Sequence, residues 1–514
     1  MNPWEEPLAD TIFVGVEQVP IHLWQQIFAF AVLSVPLENK DDIISTISGV
    51  CREWVLAINS YPKIWATIPP ISIMDSEPGM LALSSWFYAK RYLERSGSLP
   101  LDFSLLIVND VGSGNNGWEE VLEAFLEHSE RWRSADIQAW FDILPVLQRV
   151  KGRFHVLEKL RVQVSPSLFR KVKTQQETDE MRLDCFSDAP CLKHLHLSIT
   201  SNCRIIDIPL PLDMLHSITF TSCTRNRLYE NLCASPHSLR KLVVRSNVLS
   251  QFYPTLPTVT FPQLEHLVYN GQFSSTFLDS LTLPALTNLE LRGNGATTSF
   301  PGLNMTIVSL LTRSHCALQR LSLGRASFPA PEQLKEIFAL TPNLTHLDVW
   351  NLTPSELRLL IYDTTSSTNP LLPQLQHLAL GIYGSDSATL RRVFDCAMVA
   401  QVINSRSPTS SAIRNANVSG FDLVKPLRKV SFWWWDSSSM FATMSELALL
   451  LQLEGGDCGK DSATGRVKGS DGSASGDPLE ELAKQAMEIL SGPYSYRVFI
   501  EDNERLTPEG RLMV

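Results

Sequence analysis

No apolar run in the sequence approaches the ~20 residues needed to span a bilayer, so no membrane-crossing helix is expected. Long Lys/Arg clusters are missing too, and the formal net charge over 514 residues is −10. Binding to nucleic acid through its phosphates calls for a basic surface, so that class of partner is excluded as a general one. The opening Met1-Asn2-Pro3-Trp4-Glu5-Glu6 is acidic, without the basic start and apolar core of a secretory signal. Cysteines number only nine, an odd count scattered along the chain, which argues against a disulfide framework. Cys51, Cys191, Cys233 and Cys396 fall inside apolar patterns, as buried thiols do. The expected compartment is therefore reducing, cytoplasmic or nuclear.

Chemistry-bearing motifs are equally scarce. Gly112 to Gly117 is Gly-rich but lacks the Lys-Ser/Thr that completes a phosphate cradle, so it reads as a turn. No Ser/His/Asp or Cys/His order and no paired-carboxylate pattern stands out, and Cys185, Cys191 and His194 are too loosely spaced for zinc. The expectation is a non-catalytic chain without cofactor or metal. What is present is apolar material: 44% hydrophobic and 19% charged residues support a large core. The length suits about three domains, or one small domain and a long repeat array.

Residues 17–70 carry the most specific pattern. Pro20 sits where a proline helps to start a helix, because its missing N–H would be unbonded there. After it Leu23, Trp24, Ile27, Phe28 and Ala31 recur at helical spacing, and Ile43, Ile47, Val50, Cys51, Trp54, Val55 and Ile58 predict a second amphipathic helix. The order Val19-Pro20-x-x-Leu23 … Ile27-Phe28, then Val50-Cys51-x-x-Trp54 and Pro62-x-Ile64-Trp65, resembles the F-box as found in large fungal families. Val19 replaces the usual leucine and His22 the usual acidic residue. The resemblance covers about a tenth of the chain. It implies docking on an S-phase-kinase-associated adaptor, and through it a cullin, with Pro20, Leu23, Ile27, Phe28, Val50 and Trp54 as contacts. Cys51 and Trp65 are expected inside the module.

From Leu157 onward the sequence repeats Leu-x-x-Leu-x-Leu or its apolar equivalent, beginning at Leu157, Leu192, Leu215, Leu239, Leu264, Leu286, Leu318, Leu344, Leu375 and Leu427. Starts are mostly 22 to 35 residues apart, with one gap of 52. That period matches leucine-rich repeats, each a strand and a return segment. Pro190, Pro262, Pro284, Pro342 and Pro373 each stand two residues before the first leucine, where a proline ends the return and feeds an extended segment. The expected fold is α/β: a small helical F-box-like module followed by an irregular leucine-rich-repeat solenoid, or horseshoe. Its parts are a flexible leader 1–16, the module 17–70, linking helices and first strands 71–156, and repeats 157–454 with an insertion 381–425. A disordered Gly/Ser/Asp-rich loop 455–477 and a C-terminal helix and capping strand 478–514 follow.

Within the linking segment, helices are predicted over 79–95 and from Trp118 to about His128, with a strand over Leu99–Leu105; a further helix is predicted over Thr389–Ile403. In each repeat the strand leucines point to the core and the alternating residues to the concave face. Arg292, Arg320, Asp348, Trp350 and Trp433 are the candidate cargo contacts, because aromatics and arginines most often anchor interfaces. His194, His266, His346 and His377 all precede a second repeat leucine; with no ligand set completed, they read as a repeat-encoded polar preference. Trp433-Trp434-Trp435 reads either as an end-plug or as a binding patch.

Taken with the resemblance, this implies a substrate-recognition subunit of an SCF-type (cullin-RING) ubiquitin ligase, with an unknown protein as cargo. The alternative is a repeat scaffold whose F-box has drifted and no longer serves a ligase.

Overall fold

The computed structural model describes residues 19–74, 80–108, 117–140, 144–165, 181–182, 184–199, 205–207, 210–221, 238–246, 258–271, 275–292, 303–324, 331–362, 371–382, 395–406, 424–434 and 495–500. The expected leader, the Gly/Ser/Asp-rich loop, the helix from Pro478 and most of the 381–425 insertion lie outside them. The chain divides into two compact units, Met1–Ser235 and Pro236–Val514.

The first unit opens with four helices: α1 (Ile21–Leu33), α2 (Lys40–Ser48), α3 (Arg52–Asn59) and the short α4 (Pro62–Trp65). The single second helix expected from spacing is in fact two. Gly49 closes α2, and Cys51 is fully extended at φ −159°, ψ 169° before α3 begins. This break turns Trp54 toward α1, where its ring centroid lies 4.8 Å from Trp24 and 4.9 Å from Phe28. Trp65 is fully buried and donates its indole N–H to the Ile58 carbonyl at 2.9 Å.

Helix α5 (Met80–Arg95) locks onto this bundle through one carboxylate. Asp41 of α2 accepts from Tyr88, from Arg91 at 2.8 Å and from Tyr92 at 2.9 Å. Burial and the hydrogen bond to Asp41 both push the Tyr88 hydroxyl well above the ordinary phenol range. Beside them Lys40 is fully buried and donates to the Thr67 carbonyl; burial pulls its ammonium down to about 8, partly opposed by Asp41.

Beyond the helices the unit is a parallel sheet. Strands β1 (Ile71–Met74), β2 (Leu101–Val108), β3 (Trp132–Trp140), β4 (Lys159–Ser165), β5 (His194–Ile199) and β6 (Ser217–Thr221) pair in chain order. Helix α6 (Gly117–Glu127) connects β2 to β3. Two short strands, Met181–Arg182 and Ile205–Asp207, pair parallel to each other.

The second unit has the same grammar. Strands β7 (Lys241–Ser246), β8 (His266–Gly271), β9 (Asn288–Arg292), β10 (Arg320–Gly324), β11 (His346–Trp350), β12 (His377–Ile382), β13 (Lys429–Trp434) and β14 (Ser495–Ile500) pair parallel in chain order. The return segments include α7 (Leu303–Ser314), α8 (Pro331–Leu340), α9 (Pro354–Arg358) and α10 (Cys396–Ser405). The helix predicted over Thr389–Ile403 therefore starts later, at Cys396, where the Asp395 side chain caps it by accepting from the Met398 amide at 3.0 Å.

Every one of the ten leucine patterns supplies a strand that begins two residues after its first apolar residue. The in-register leucines Leu267, Leu289, Leu321, Leu347 and Leu378 are all buried, as are Tyr269, Leu291, Leu323, Val349 and Leu380 two residues on. Burial of each such side chain contributes roughly 1.5–3 kcal/mol. Successive repeats are also stitched just before each strand. One carbonyl accepts from two consecutive amides of the next repeat: Glu265 from Thr287 and Asn288, Thr287 from Gln319 and Arg320, Gln319 from Thr345 and His346. The same pairing recurs in the first unit, where Glu158 accepts from Lys193 and His194.

Candidate functional site

Two surfaces merit attention, one in each unit. On the N-terminal helices, α1 buries Phe28, Ala29 and Val32 and leaves a second apolar stripe outside. Leu23 is 41% exposed, Ile27 52% and Phe30 78%, and Val50, in the break between α2 and α3, is 57% exposed. Pro20 is exposed as well, and Trp54 is half-buried against the Trp24–Phe28 pair. Phe28 is only 3% exposed. Its ring is part of the aromatic knot that joins α1 to α3, so it cannot also face a partner, and this corrects its placement among the adaptor contacts. Spacing alone missed Ile21, Phe30, Leu33 and Leu56, which are exposed apolar residues of the same helices. The indole N–H groups of Trp24 and Trp54 are buried and find no acceptor among the described residues.

The second surface is the sheet face of the second unit that points away from the leucine core. Strand register arranges its side chains in rows. The first row contains Lys241, His266, Asn288, Arg320, His346, His377 and Lys429, each the register partner of the next. The next row contains Glu290, Ser322 and Asp348, and the third contains Arg292 and Trp350.

Of the cargo candidates, Arg320 is exposed and points its guanidinium at His346, with its Nη2 3.3 Å from Nε2. Asp348 accepts from the Ser322 hydroxyl at 3.0 Å. Arg292 is half-buried, with Nε 2.7 Å from Glu290 Oε1 in an ion pair that lacks hydrogen-bond alignment. The Arg292 stem crosses onto the next strand, and its Cγ would stand 3.0 Å from a Cβ built on Gly324. Trp350 does the same over Gly381 and is only 7% exposed. The expected open tryptophan is therefore a packed one, because a glycine on the neighbouring strand gives its ring a place to lie. The Trp433 side chain lies outside the described residues.

His346 and His377 stack with ring centroids 4.1 Å apart and planes 11° apart. His346 Nδ1 is 2.8 Å from Thr345 Oγ1, whose hydroxyl reaches the Gln319 carbonyl at 3.1 Å. With Thr345 donating onward, Nδ1–H donates to Oγ1 and Nε2 accepts from Arg320, which fixes a neutral imidazole. Burial, then Arg320, then His377 and Lys429 hold the His346 pKa down at about 4. His377 is held below the ordinary histidine range by burial and by Lys429, Arg320 and Arg428.

In the first unit a groove of about 650 Å³ lies along α5 and α6, lined by Trp86, Trp118, His128 and a run of glutamates. Among the described residues its lining carries no hydroxyl or thiol nucleophile. Among the described residues no group of three or more His, Cys, Asp or Glu side chains could hold a metal, and no helix is long and apolar enough to cross a membrane. Comparison with known proteins returns no matching family model and no curated protein with significant similarity.

Proposed function

We propose that this chain is the substrate-recognition subunit of an SCF-type (cullin-RING) ubiquitin ligase. In this reading α1–α4 form an F-box-like module, and the parallel strands with their leucine pattern form a leucine-rich-repeat solenoid that holds a target protein. The observation that carries it is the exposure of Leu23 and Ile27 on α1 and of Val50 in the break between α2 and α3, in the segment whose sequence resembles the F-box. A module with its own aromatic core has no internal use for that second stripe, and water-exposed apolar area of this kind is what a partner covers. Pro20, Leu23, Ile27 and Val50 then contact the adaptor, and Trp54 backs them from inside. The chain supplies no catalytic side chain; it brings cargo near a ubiquitin-charged enzyme, so that proximity does the work. The compartment in this reading is cytoplasmic or nuclear.

The test is a pull-down of the purified chain with the S-phase-kinase-associated adaptor. Wild type forms a complex, and Leu23→Asp with Ile27→Asp abolishes it while circular dichroism stays unchanged. If wild type forms no complex, the ligase reading is withdrawn. The drifted-F-box scaffold then takes its place, with the helices serving only to cover one end of the repeats.

A further inference from the structure

The first row of the second unit's polar face is built almost wholly from cationic and protonatable side chains. Register places Lys241, His266, Arg320, His346, His377 and Lys429 on neighbouring strands, with only Asn288 between His266 and Arg320. Six inter-strand intervals of about 4.8 Å make the row about 29 Å long, the span of about nine extended residues. The acids of the adjoining row are already engaged, Glu290 by Arg292 and Asp348 by Ser322. Among the described residues no carboxylate forms an ion pair with Lys241 or Arg320. The Arg320 guanidinium donates to a neutral imidazole instead. Fixed positive charges in a row, beside histidines kept neutral by burial and by those same charges, are complementary to a ligand of the opposite sign.

We propose that this row seats an anionic polypeptide segment of the cargo, crossing β7 to β13. Arg320 and Lys429 act as fixed charges, and the stacked His346–His377 pair takes up a proton on binding. The shared chemistry is a run of negative charge, from Asp/Glu side chains or from phosphorylated Ser/Thr. The groups that face the histidine pair are Arg320 on β10, Asp348 on their own face of β11, and Lys429 with Arg428 at β13. A carboxylate set among them offsets the cations that, together with burial, keep the imidazoles neutral. Binding and protonation therefore favour each other. This inference deepens the proposed cargo role, yet the binding step itself needs no adaptor.

The experiment uses the full chain and three fluorescein-labelled peptides of about nine residues, matched to the row length: oligoglutamate, oligoglutamine, and a Ser/Gly peptide with several phosphoserines. Anisotropy is read near pH 7.5 and near pH 6. Oligoglutamate should bind where oligoglutamine does not, tightening roughly threefold or more at the lower pH as a proton is taken up. Arg320→Ala should weaken it about tenfold, and His346→Asn with His377→Asn should leave binding but remove its pH dependence. Binding of the phosphopeptide alone, lost in Arg320→Ala, supports the same seat with phosphate as the source. Equal binding by wild type and Arg320→Ala, or no binding of either anionic peptide, overturns the proposal. The Leu23→Asp, Ile27→Asp variant should bind the peptide as wild type does, so this outcome and that of the adaptor pull-down are read separately.

Discussion

The indole of Trp350 lies over Gly381, its register partner on the next strand, with Cγ 2.6 Å from the point where a Cβ on Gly381 would stand. A methyl group cannot enter that space unless the ring moves. Gly381→Ala should therefore destabilise the second unit by about 1–3 kcal/mol, the usual cost of overpacking. Trp350→Ala removes the obstacle, so the two substitutions should be strongly non-additive. Urea denaturation of the wild type, both single variants and the double variant checks this. Additive losses would mean that the ring and the glycine do not share one space.

Lys40 sets up a pH dependence of stability with a definite sign. Its ammonium is fully buried, and its pKa falls from 10.5 to about 8 on folding. Below pH 8 both folded and unfolded chains carry the charge, and folding bears the cost of burying it. Between pH 8 and 10.5 the unfolded chain keeps a proton that the folded chain has lost, so stability rises with pH. The rise is about 1.4 kcal/mol per pH unit within that window. Tyr88 and Tyr92, whose hydroxyls are held above the phenol range by burial and Asp41, work the other way once pH passes 10. Stability of the wild type minus that of Lys40→Met, measured by denaturation from pH 7 to 10, should therefore climb with pH. A flat difference would show that Lys40 is not buried as a charge.

Arg406 ties three backbone carbonyls of the second unit together. It is 1% exposed and donates to three carbonyls: Leu360 at 2.7 Å, Leu371 at 2.8 Å and Leu372 at 3.0 Å. Leu372 has φ 51°, a left-handed conformation that leucine rarely adopts, and the guanidinium pins the carbonyls on either side of it. Burial lowers the Arg406 pKa to about 10, still high enough to keep it charged at neutral pH. Arg406→Met removes one donor from each of these three carbonyls, of which Leu372 keeps the Leu375 amide, and should cost about 3–5 kcal/mol. Amide hydrogen exchange checks the location of the loss: protection should fall first at Leu360 and across Leu371–Leu375.

The repeat strands were legible because a period of two and a fixed leucine spacing leave one face no choice but the core. Strand β3 escapes the leucine pattern, although Trp132, Ala135 and Ile137 hold the three pattern positions and are buried. Tryptophan and alanine in place of leucine hid the unit. The two-helix break at Gly49–Cys51 was missed because apolar spacing continues across it, while the backbone does not. Trp350 and Arg292 are candidate contacts by alternation, which says which face a side chain leaves from. It does not say that Gly381 or Gly324, on the next strand, gives it room to lie down. The His346–His377 contact was visible only as a repeated position; register between consecutive strands makes it a stacked pair.

Phe28 and Ile27 are neighbours in sequence with opposite fates, and that separates a core role from a docking role. Phe28 is buried against Trp24 and Trp54, with ring centroids 5.5 and 4.9 Å away, whereas Ile27 is half exposed. Phe28→Ala should cost about 3–5 kcal/mol, as large-to-small changes in packed aromatic sites do. It should also shift the tryptophan emission of the module to the red as Trp24 and Trp54 gain water. Ile27→Asp, on the exposed stripe, should stay within about 0.5 kcal/mol of wild type and leave that emission unchanged. If the proposed adaptor role holds, binding should be lost in Ile27→Asp with no change in fold, and in Phe28→Ala only to the extent that the helices come apart. A Phe28→Ala chain that keeps its emission and stability but loses the adaptor would put Phe28 back on the surface and undo the aromatic knot between α1 and α3.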